Sequence, residues 1–206
     1  LLAAVMVEQG RFDEADSRLE AILSRTNIIG EEARAIALQA HRWLLDIRGN
    51  QLRIAEAVEL ARDMVKESRE IHGLDHEQTV MCEVELSGFI FAIGRISGQP
   101  ISEDLERSYG SLERVRSIVG DLHPIALRAR QIEAMRLLPG PNSNFQADLG
   151  NGELSQLLDG IVADSRKVLG NTHLRTLESL YLQGLVRVLS GKVDSGSDIL
   201  AEAYAG

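Results

Sequence analysis

The chain has 206 residues, of which 44% are hydrophobic and 26% are charged, a composition typical of a folded globular protein that excludes a wholly disordered chain. Only 4% of the residues are aromatic and good helix formers are abundant, so the composition favours an all-α fold. The formal charge of −9 would repel a phosphate backbone, and we therefore expect no nucleic-acid partner.

Apolar residues recur at helical spacing along most of the chain, and no segment alternates between apolar and polar residues as a strand would. Ile54, Val58, Ala61 and Val65, for example, share one side of a predicted helix. The pattern predicts ten helices that pair into about five antiparallel hairpins: 1–9 with 13–25, 31–48 with 53–72, 77–93 with 102–119, 124–138 with 153–169, and 174–190 with 195–204.

One joint between hairpins recurs three times, each copy with a glycine three positions before a histidine: Gly73 and His76, Gly120 and His123, Gly170 and His173. A glycine can adopt the left-handed conformation that ends a helix, and the next helix then begins about three residues later. Each copy therefore predicts the end of one helix and the start of the next.

The residues around these joints also predict how the following helices are capped. Pro124 occupies a predicted first helical position, which makes His123 the expected N-cap. In the first copy, Asp75 with Gln78 resembles a capping box.

A second kind of joint, a glycine followed two positions later by a hydrophobic residue, predicts the tight turn inside a hairpin. It occurs as Gly10-Arg11-Phe12 and as Gly191-Lys192-Val193. Looser copies are Gly49 to Leu52 and Gly94-Arg95-Ile96.

The segment 139–152 interrupts the helical pattern. Its prolines Pro139 and Pro141 and its polar residues forbid a continuous helix, so we predict a surface loop inserted into a single domain spanning 1–206. The sequence starts at Leu1 rather than at a methionine, and we predict that it is a fragment of a longer chain.

The first residues, Leu1 to Ala15, resemble the core of a tetratricopeptide (TPR) repeat, with its Leu-Ala, glycine, aromatic and Glu-Ala positions. The glycine–histidine joints are similar to those of the kinesin light chain variety, most fully at Val168 to Leu177. The resemblance implies a right-handed superhelical stack of hairpins whose first helices line a concave groove that binds peptides or protein domains.

The chain departs from the family pattern at three places. The family commonly carries Asn-Leu-Ala on its groove-lining helices, whereas this chain has Glu85-Leu86-Ser87 and Leu182-Gln183-Gly184. It also has Gln99-Pro100 where Glu-Ala is expected. The usual peptide-clamping asparagine is absent, so the binding mode of the family is not carried over.

Residues that could support catalysis or metal binding are better interpreted as structural. Cys82 lies in an apolar helical stretch, and the three joint histidines lie one repeat apart, too far to share one ion. No phosphate-binding, dinucleotide-binding or hydrolase motif occurs. We therefore expect no enzyme activity, no cofactor and no metal.

Candidate binding residues follow from aligning the first helix of each hairpin on its terminal glycine. The alignment predicts seven residues on the concave side: Gln39, Trp43, Asp46, Val84, Phe91, Arg130 and Tyr181. Tryptophan, tyrosine and arginine are enriched at binding hot spots. The alternative interpretation is that Trp43, Phe91 and Tyr181 pack between helices.

The sequence as a whole predicts a scaffold module that binds a protein or peptide. One alternative is a sensor or autoinhibitory arm of a larger signalling protein, such as a signal-transduction ATPase, and a further one is a helical metal protein or enzyme. No apolar run is long enough to span a membrane and no signal peptide is evident, so we expect a cytoplasmic location. Apolar residues at the two ends could form a contact between copies of the chain: Leu1, Leu2, Val5 and Tyr204.

Overall fold

The computed structural model describes residues 5–6, 9, 11–25, 31–97, 112–139 and 152–205. These ranges contain nine α-helices and no β-strand, so the all-α prediction is confirmed. The helices are α1 (Phe12–Arg25), α2 (Glu31–Asn50), α3 (Ile54–His72), α4 (Glu77–Ser97), α5 (Leu112–Val119), α6 (Pro124–Arg136), α7 (Glu153–Leu169), α8 (Leu174–Leu189) and α9 (Val193–Ala205).

Most helix ends lie within two residues of their predicted positions, and the clearest exception is the end of α4. The turn predicted at Gly94 is wrong, because α4 continues through this glycine to Ser97. The predicted segment 102–111 and nearly all of the predicted loop 139–152 lie outside the described residues.

The chain divides into two compact units. The first, Leu1–Tyr109, contains α1 to α4, and each of these helices packs against the next one in sequence. Its core includes Leu44 and Ile47 from α2, Met64 from α3 and Val80 from α4. The interior of this unit is therefore built from neighbouring helices in chain order, as a helical repeat requires.

The second unit, Gly110–Gly206, contains α5 to α9 and is built in the same way. A core cluster joins α6, α7 and α8 through the buried side chains of Ala134, Leu154, Leu158, Ile161, Leu182 and Val186. A single domain spanning 1–206 stays a prediction.

The three glycine–histidine joints connect α3 to α4, α5 to α6 and α7 to α8. Their glycines have φ values of 85° at Gly73, 86° at Gly120 and 91° at Gly170, so the predicted positive φ is confirmed. The predicted left-handed helical conformation is wrong at Gly73 and Gly170, because their ψ values of 174° and 167° are extended. Backbone of this kind is essentially restricted to glycine, which explains why glycine occupies these joints.

Each joint histidine caps the helix that follows it. Nδ1 of His123 accepts a hydrogen bond from the backbone N–H two residues later at 3.3 Å, and His173 and His76 do the same at 3.1 Å and 3.2 Å. The predicted cap at His123 is confirmed. The capping box predicted from Asp75 is wrong, because α4 starts at Glu77 and His76 occupies the cap position.

Two buried positions beside each joint carry either two polar residues or two apolar ones. Next to the first joint, the hydroxyl oxygens of Ser68 and Thr79 lie 3.0 Å apart, and Thr79 Oγ1 also donates to the carbonyl of Gly73 at 2.8 Å. Ser165 and Thr176 occupy the same positions beside the third joint and are also buried. Beside the second joint the corresponding residues are both apolar, namely Val115 and Ala126.

The turn between α8 and α9 reverses the chain at Gly191. Gly191 has φ 85°, its N–H bonds to the carbonyl of Val188 at 3.0 Å, and the N–H of Lys192 bonds to the carbonyl of Arg187 at 2.9 Å. These bonds form a Schellman motif, in which a residue with positive φ ends the helix.

The turn between α2 and α3 has the same bonds but a different residue at the reversal. The N–H of Leu52 bonds to the carbonyl of Gly49 at 3.1 Å, and the N–H of Arg53 bonds to the carbonyl of Arg48 at 2.9 Å. Leu52 therefore takes the place that Gly191 has in the other turn, with φ 58°. The glycine pattern of the sequence predicts Gly49 at this position.

Candidate functional site

The solvent-facing side of α2 carries four polar or aromatic residues, which we call the α2 face: Gln39, Arg42, Trp43 and Asp46. Gln39 and Arg42 are exposed, whereas Trp43 and Asp46 are half-buried. Their spacing of three or four residues places them on one side of the helix. Three of the predicted groove residues therefore share an accessible surface.

The residues predicted on α4 lie on a different side of their helix. Val84 and Phe91 are both buried, at 6% and 9% exposure, and for Phe91 this favours the alternative that it packs between helices. The accessible side of α4 instead carries Glu85, Phe89 and Ala92.

Arg130, on α6, is held in an ion pair. Its guanidinium donates to Asp164 Oδ2 of α7 at 2.6 Å, and the side chain is 17% exposed. Arg130 therefore holds two helices together, and a partner would have to compete with Asp164 for its charge. The neighbouring Arg128 donates to Gln131 at 2.8 Å.

Tyr181, on α8, is 45% exposed. Its ring lies edge-on to that of Tyr204 from α9, with 6.2 Å between the ring centroids and 83° between the ring planes. Tyr204 is 78% exposed. The last two helices therefore present an aromatic pair to solvent.

The turn at Leu52 explains why Arg42 is not among the groove residues that were predicted by aligning helices on their terminal glycines. If Leu52 rather than Gly49 corresponds to Gly191, then Arg42 rather than Gln39 corresponds to Tyr181. The sequence did contain this register, because Arg11 to Ala15 and Arg53 to Ala57 both match Arg-x-x-Glu-Ala. In each copy the arginine Nη2 bonds to the glutamate, at 2.6 Å for Glu14 and 2.7 Å for Glu56.

The fold matches solved structures of helical-repeat proteins. Two are crystal structures of a putative kinesin light chain with nearly identical TPR-like repeats from Podosopora anserina, one of them of a variant with a single substitution. They have TM-scores of 0.56 and 0.58 and sequence identities of 21% and 20%, and the match covers 99% of this chain and 90% of each of those chains.

A third structure is that of BtubC (BKLC) from P. vanneervenii, with a TM-score of 0.57 and 12% identity over 99% of this chain and 76% of that chain. The chain has a TPR-like fold. No protein-family model matches the sequence, and no curated protein matches it significantly.

The TPR-like repeats of this chain share an arginine that the sequence reasoning did not single out. It stands four residues before each joint glycine, as Arg69, Arg116 and Arg166, and its carbonyl accepts the N–H of that glycine. The three side chains bind different partners, Glu83, Asp121 and Glu202 respectively. The signal was visible in the sequence as a fixed Arg-to-Gly spacing.

Cys82 lacks the surroundings that make a cysteine reactive. It is buried in α4, and burial raises the pKa of its thiol to about 12, which disfavours the thiolate. Within the ranges that the structure describes, no three His, Cys, Asp or Glu side chains come together in a way that could hold a metal ion.

No helix in the described part of the chain combines the length and the apolar character that crossing a bilayer requires.

Proposed function

We propose that the chain is a module that binds a protein or peptide, and that the α2 face is part of its binding surface. Helical repeats of the TPR-like kind generally serve as protein-interaction scaffolds, because stacked hairpins present extended surfaces. This general role belongs to the fold, and the proposal adds the surface with which this chain binds its partner.

The proposal is supported by the composition of the α2 face, which combines an aromatic anchor with accessible polar groups. Trp43 is the only tryptophan of the chain and is half-buried, so its indole is partly accessible to a partner. Gln39 and Arg42 are exposed beside it and offer hydrogen-bond donors. An arginine and a tryptophan close together on a surface are typical of binding hot spots.

A protein captured from a native lysate by the 206-residue chain would be titrated against chain labelled with fluorotryptophan. Because the chain has one tryptophan, its fluorine NMR spectrum has one resonance, which reports on the α2 face directly. We expect this resonance to shift on binding. The Gln39→Ala/Arg42→Ala variant should bind at least about tenfold more weakly.

The matched control is Arg62→Ala, which removes an exposed arginine from α3 that pairs with Glu59. It should bind as the unchanged chain does. Equal affinity of the Gln39→Ala/Arg42→Ala variant, or an unshifted Trp43 resonance at saturation, would remove the α2 face from the proposal. If no protein is captured, the sensor or autoinhibitory arm becomes the favoured function. The cytoplasmic location stays a prediction in either case.

A further inference from the structure

Leu52, in the turn between α2 and α3, has a backbone conformation that does not suit a leucine. In the described part of the chain it is the one residue other than glycine with a positive φ. Its φ of 58° lies in the left-handed region, where the Cβ atom of a leucine comes too close to the following carbonyl oxygen. A glycine, which has no Cβ atom, would adopt the same backbone without this cost.

Two other hairpins of the same chain have a glycine at the corresponding position. Arg53 corresponds to Arg11 in the Arg-x-x-Glu-Ala pattern, so Leu52 corresponds to Gly10. Gly191 has the same place in the Schellman motif between α8 and α9. The geometry of the turn therefore does not explain why a leucine is present.

The packing of Leu52 does not explain it either. Burial of the apolar side chain would offset the unfavourable backbone, but Leu52 is 76% exposed. Its N–H is used by the turn itself, in the bond to the carbonyl of Gly49, and any residue except proline would supply that group. Backbone strain that gives the fold nothing in return is typical of residues that are kept for function.

The residues on either side of Leu52 hold the turn against α1. Gln51 Nε2 donates to Asp13 Oδ1 at 2.9 Å, and Arg53 Nη1 donates to Asp16 Oδ2 at 3.2 Å. Arg53 Nη1 also donates to Gln51 Oε1 at 3.1 Å, which links the two anchoring residues. Leu52 is therefore presented on a fixed turn, and a pre-organised group loses little conformational freedom when it binds.

The charged groups around Leu52 are negative on balance. Arg53 donates to both carboxylate oxygens of Glu56, at 2.9 and 2.7 Å, in addition to its bond to Asp16. One guanidinium thus stands against three carboxylates, those of Asp13, Asp16 and Glu56. The first unit, residues 1–109, also has 20 acidic but only 12 basic residues. Its field attracts a basic surface to this turn and repels an acidic one.

We propose that Leu52 is an anchor with which the turn between α2 and α3 binds a partner protein, and that it inserts into an apolar pocket rimmed by lysine or arginine. The exposed leucine supplies the apolar contact, and the surrounding carboxylates supply the complementary charge. This turn is a different surface from the α2 face, and the inference stands whether or not the α2 face binds.

Photocrosslinking beside the turn tests the proposal without changing Leu52. A diazirine-bearing amino acid in place of the exposed Ala55, in the first turn of α3, would be activated by light in a native lysate. We expect a product with one partner protein. Its crosslinked segment, identified by mass spectrometry, should contain apolar residues together with lysine or arginine. An excess of the unlabelled 206-residue chain should abolish the product.

Unlabelled variants then compete for the product. Leu52→Asn, which tolerates positive φ but has no apolar side chain, should be needed at a concentration at least about tenfold higher than the intact chain. Leu52→Met stays apolar and should compete as the intact chain does. Asp13→Asn removes a charge but keeps the acceptor for Gln51, and it should compete less well at low salt. The matched control is Leu74→Asn, which removes another exposed leucine of the first unit and should compete normally.

Urea denaturation of the same variants separates binding from folding. Leu52→Asn should unfold at a higher urea concentration than the intact chain although it competes less well, a combination that loss of the fold cannot produce. A less stable Leu52→Asn chain would overturn the proposal, because the leucine would then serve the fold. Equal competition from Leu52→Asn, or from Asp13→Asn at low salt, would overturn it as well. So would the absence of a product at position 55, or a product whose crosslinked segment is acidic.

Discussion

Gly184 of α8 and Gly196 of α9 face each other so closely that a methyl group on Gly196 would lie 2.8 Å from the carbonyl oxygen of Gly184. The same methyl group would lie 2.6 Å from Val188 Cγ2. Real side chains do not tolerate contacts this short, so the approach of the two helix backbones depends on both glycines.

Gly196→Ala should therefore destabilise the second unit. Alanine is favoured over glycine in a helix by about 1 kcal/mol, but the steric conflict with the α8 backbone is expected to outweigh that gain and to leave a net loss of about 1 to 3 kcal/mol. Chemical denaturation of the variant measures this loss.

Gly160→Ala in α7 provides the matched control for this substitution. A methyl group at Gly160 would meet only the end of the Arg130 side chain, at 3.4 Å, which can move. The control should be as stable as the unchanged chain or more stable. If both alanine variants behave alike, the close packing of α8 on α9 does not limit stability.

Leu52 should be replaceable with a gain in stability. It has φ 58° and is 76% exposed, so its side chain contributes little packing while its backbone adopts a conformation that costs a non-glycine residue roughly 1 to 2 kcal/mol. Leu52→Asn, which tolerates positive φ, should raise the free energy of unfolding by on the order of 0.5 to 1 kcal/mol.

The reverse substitution at the corresponding turn completes the comparison. Gly191→Leu places a leucine at φ 85° and should lower the free energy of unfolding by about 1 to 2 kcal/mol. A stabilised Gly191→Leu variant would mean that the two turns are not equivalent.

His41 should make the first unit less stable in mild acid. Burial lowers the pKa of His41, against the opposing attraction of Glu67, Glu20 and Asp63, and Arg48 lowers it further. Among the side chains that the structure describes, none is hydrogen-bonded to its Nδ1, which lies 3.8 Å from Glu67 Oε2. Since the unfolded chain then binds the proton more readily than the folded one, stability is highest above the unfolded pKa of about 6.5.

That stability should decline as pH falls from about 6.5 towards the lower pKa that His41 has in the folded chain. Urea denaturation at a series of pH values measures the slope, and His41→Gln, which cannot be protonated, should reduce it. The slope would have another origin if it were the same in the His41→Gln variant.

Sequence patterns predicted the parts of the fold that depend on local backbone chemistry. The joints were predictable because only glycine adopts the backbone found at Gly73 and Gly170, and because a histidine cap leaves a fixed spacing. The turn after α2 was misplaced because Leu52 adopts a conformation that glycine usually marks. The turn predicted at Gly94 is wrong because a glycine can also continue a helix, as it does in α4.

The candidate site was harder to predict, because it depends on which side of each helix its neighbours cover. Aligning α2 on Gly49 instead of Leu52 shifts its register by three residues. Gln39 rather than Arg42 is then aligned with Tyr181. Likewise, helical periodicity does not reveal that Arg130 reaches Asp164 on another helix, since that contact depends on how α6 and α7 pack. The seven proposed groove residues remain a prediction as a binding site.

The two buried residues beside each joint change together from one repeat to another. This limits which segments of the chain could be transplanted between repeats. Ser68 with Thr79 forms one matched set, and Val115 with Ala126 forms another that fills the same two buried positions. Moving only the threonine into the second joint would replace the fully buried Ala126 by a larger side chain against the buried Val115, at a cost of roughly 1 to 3 kcal/mol. A chimaeric array assembled from these hairpins should therefore be cut within a helix, so that both residues of each set travel together.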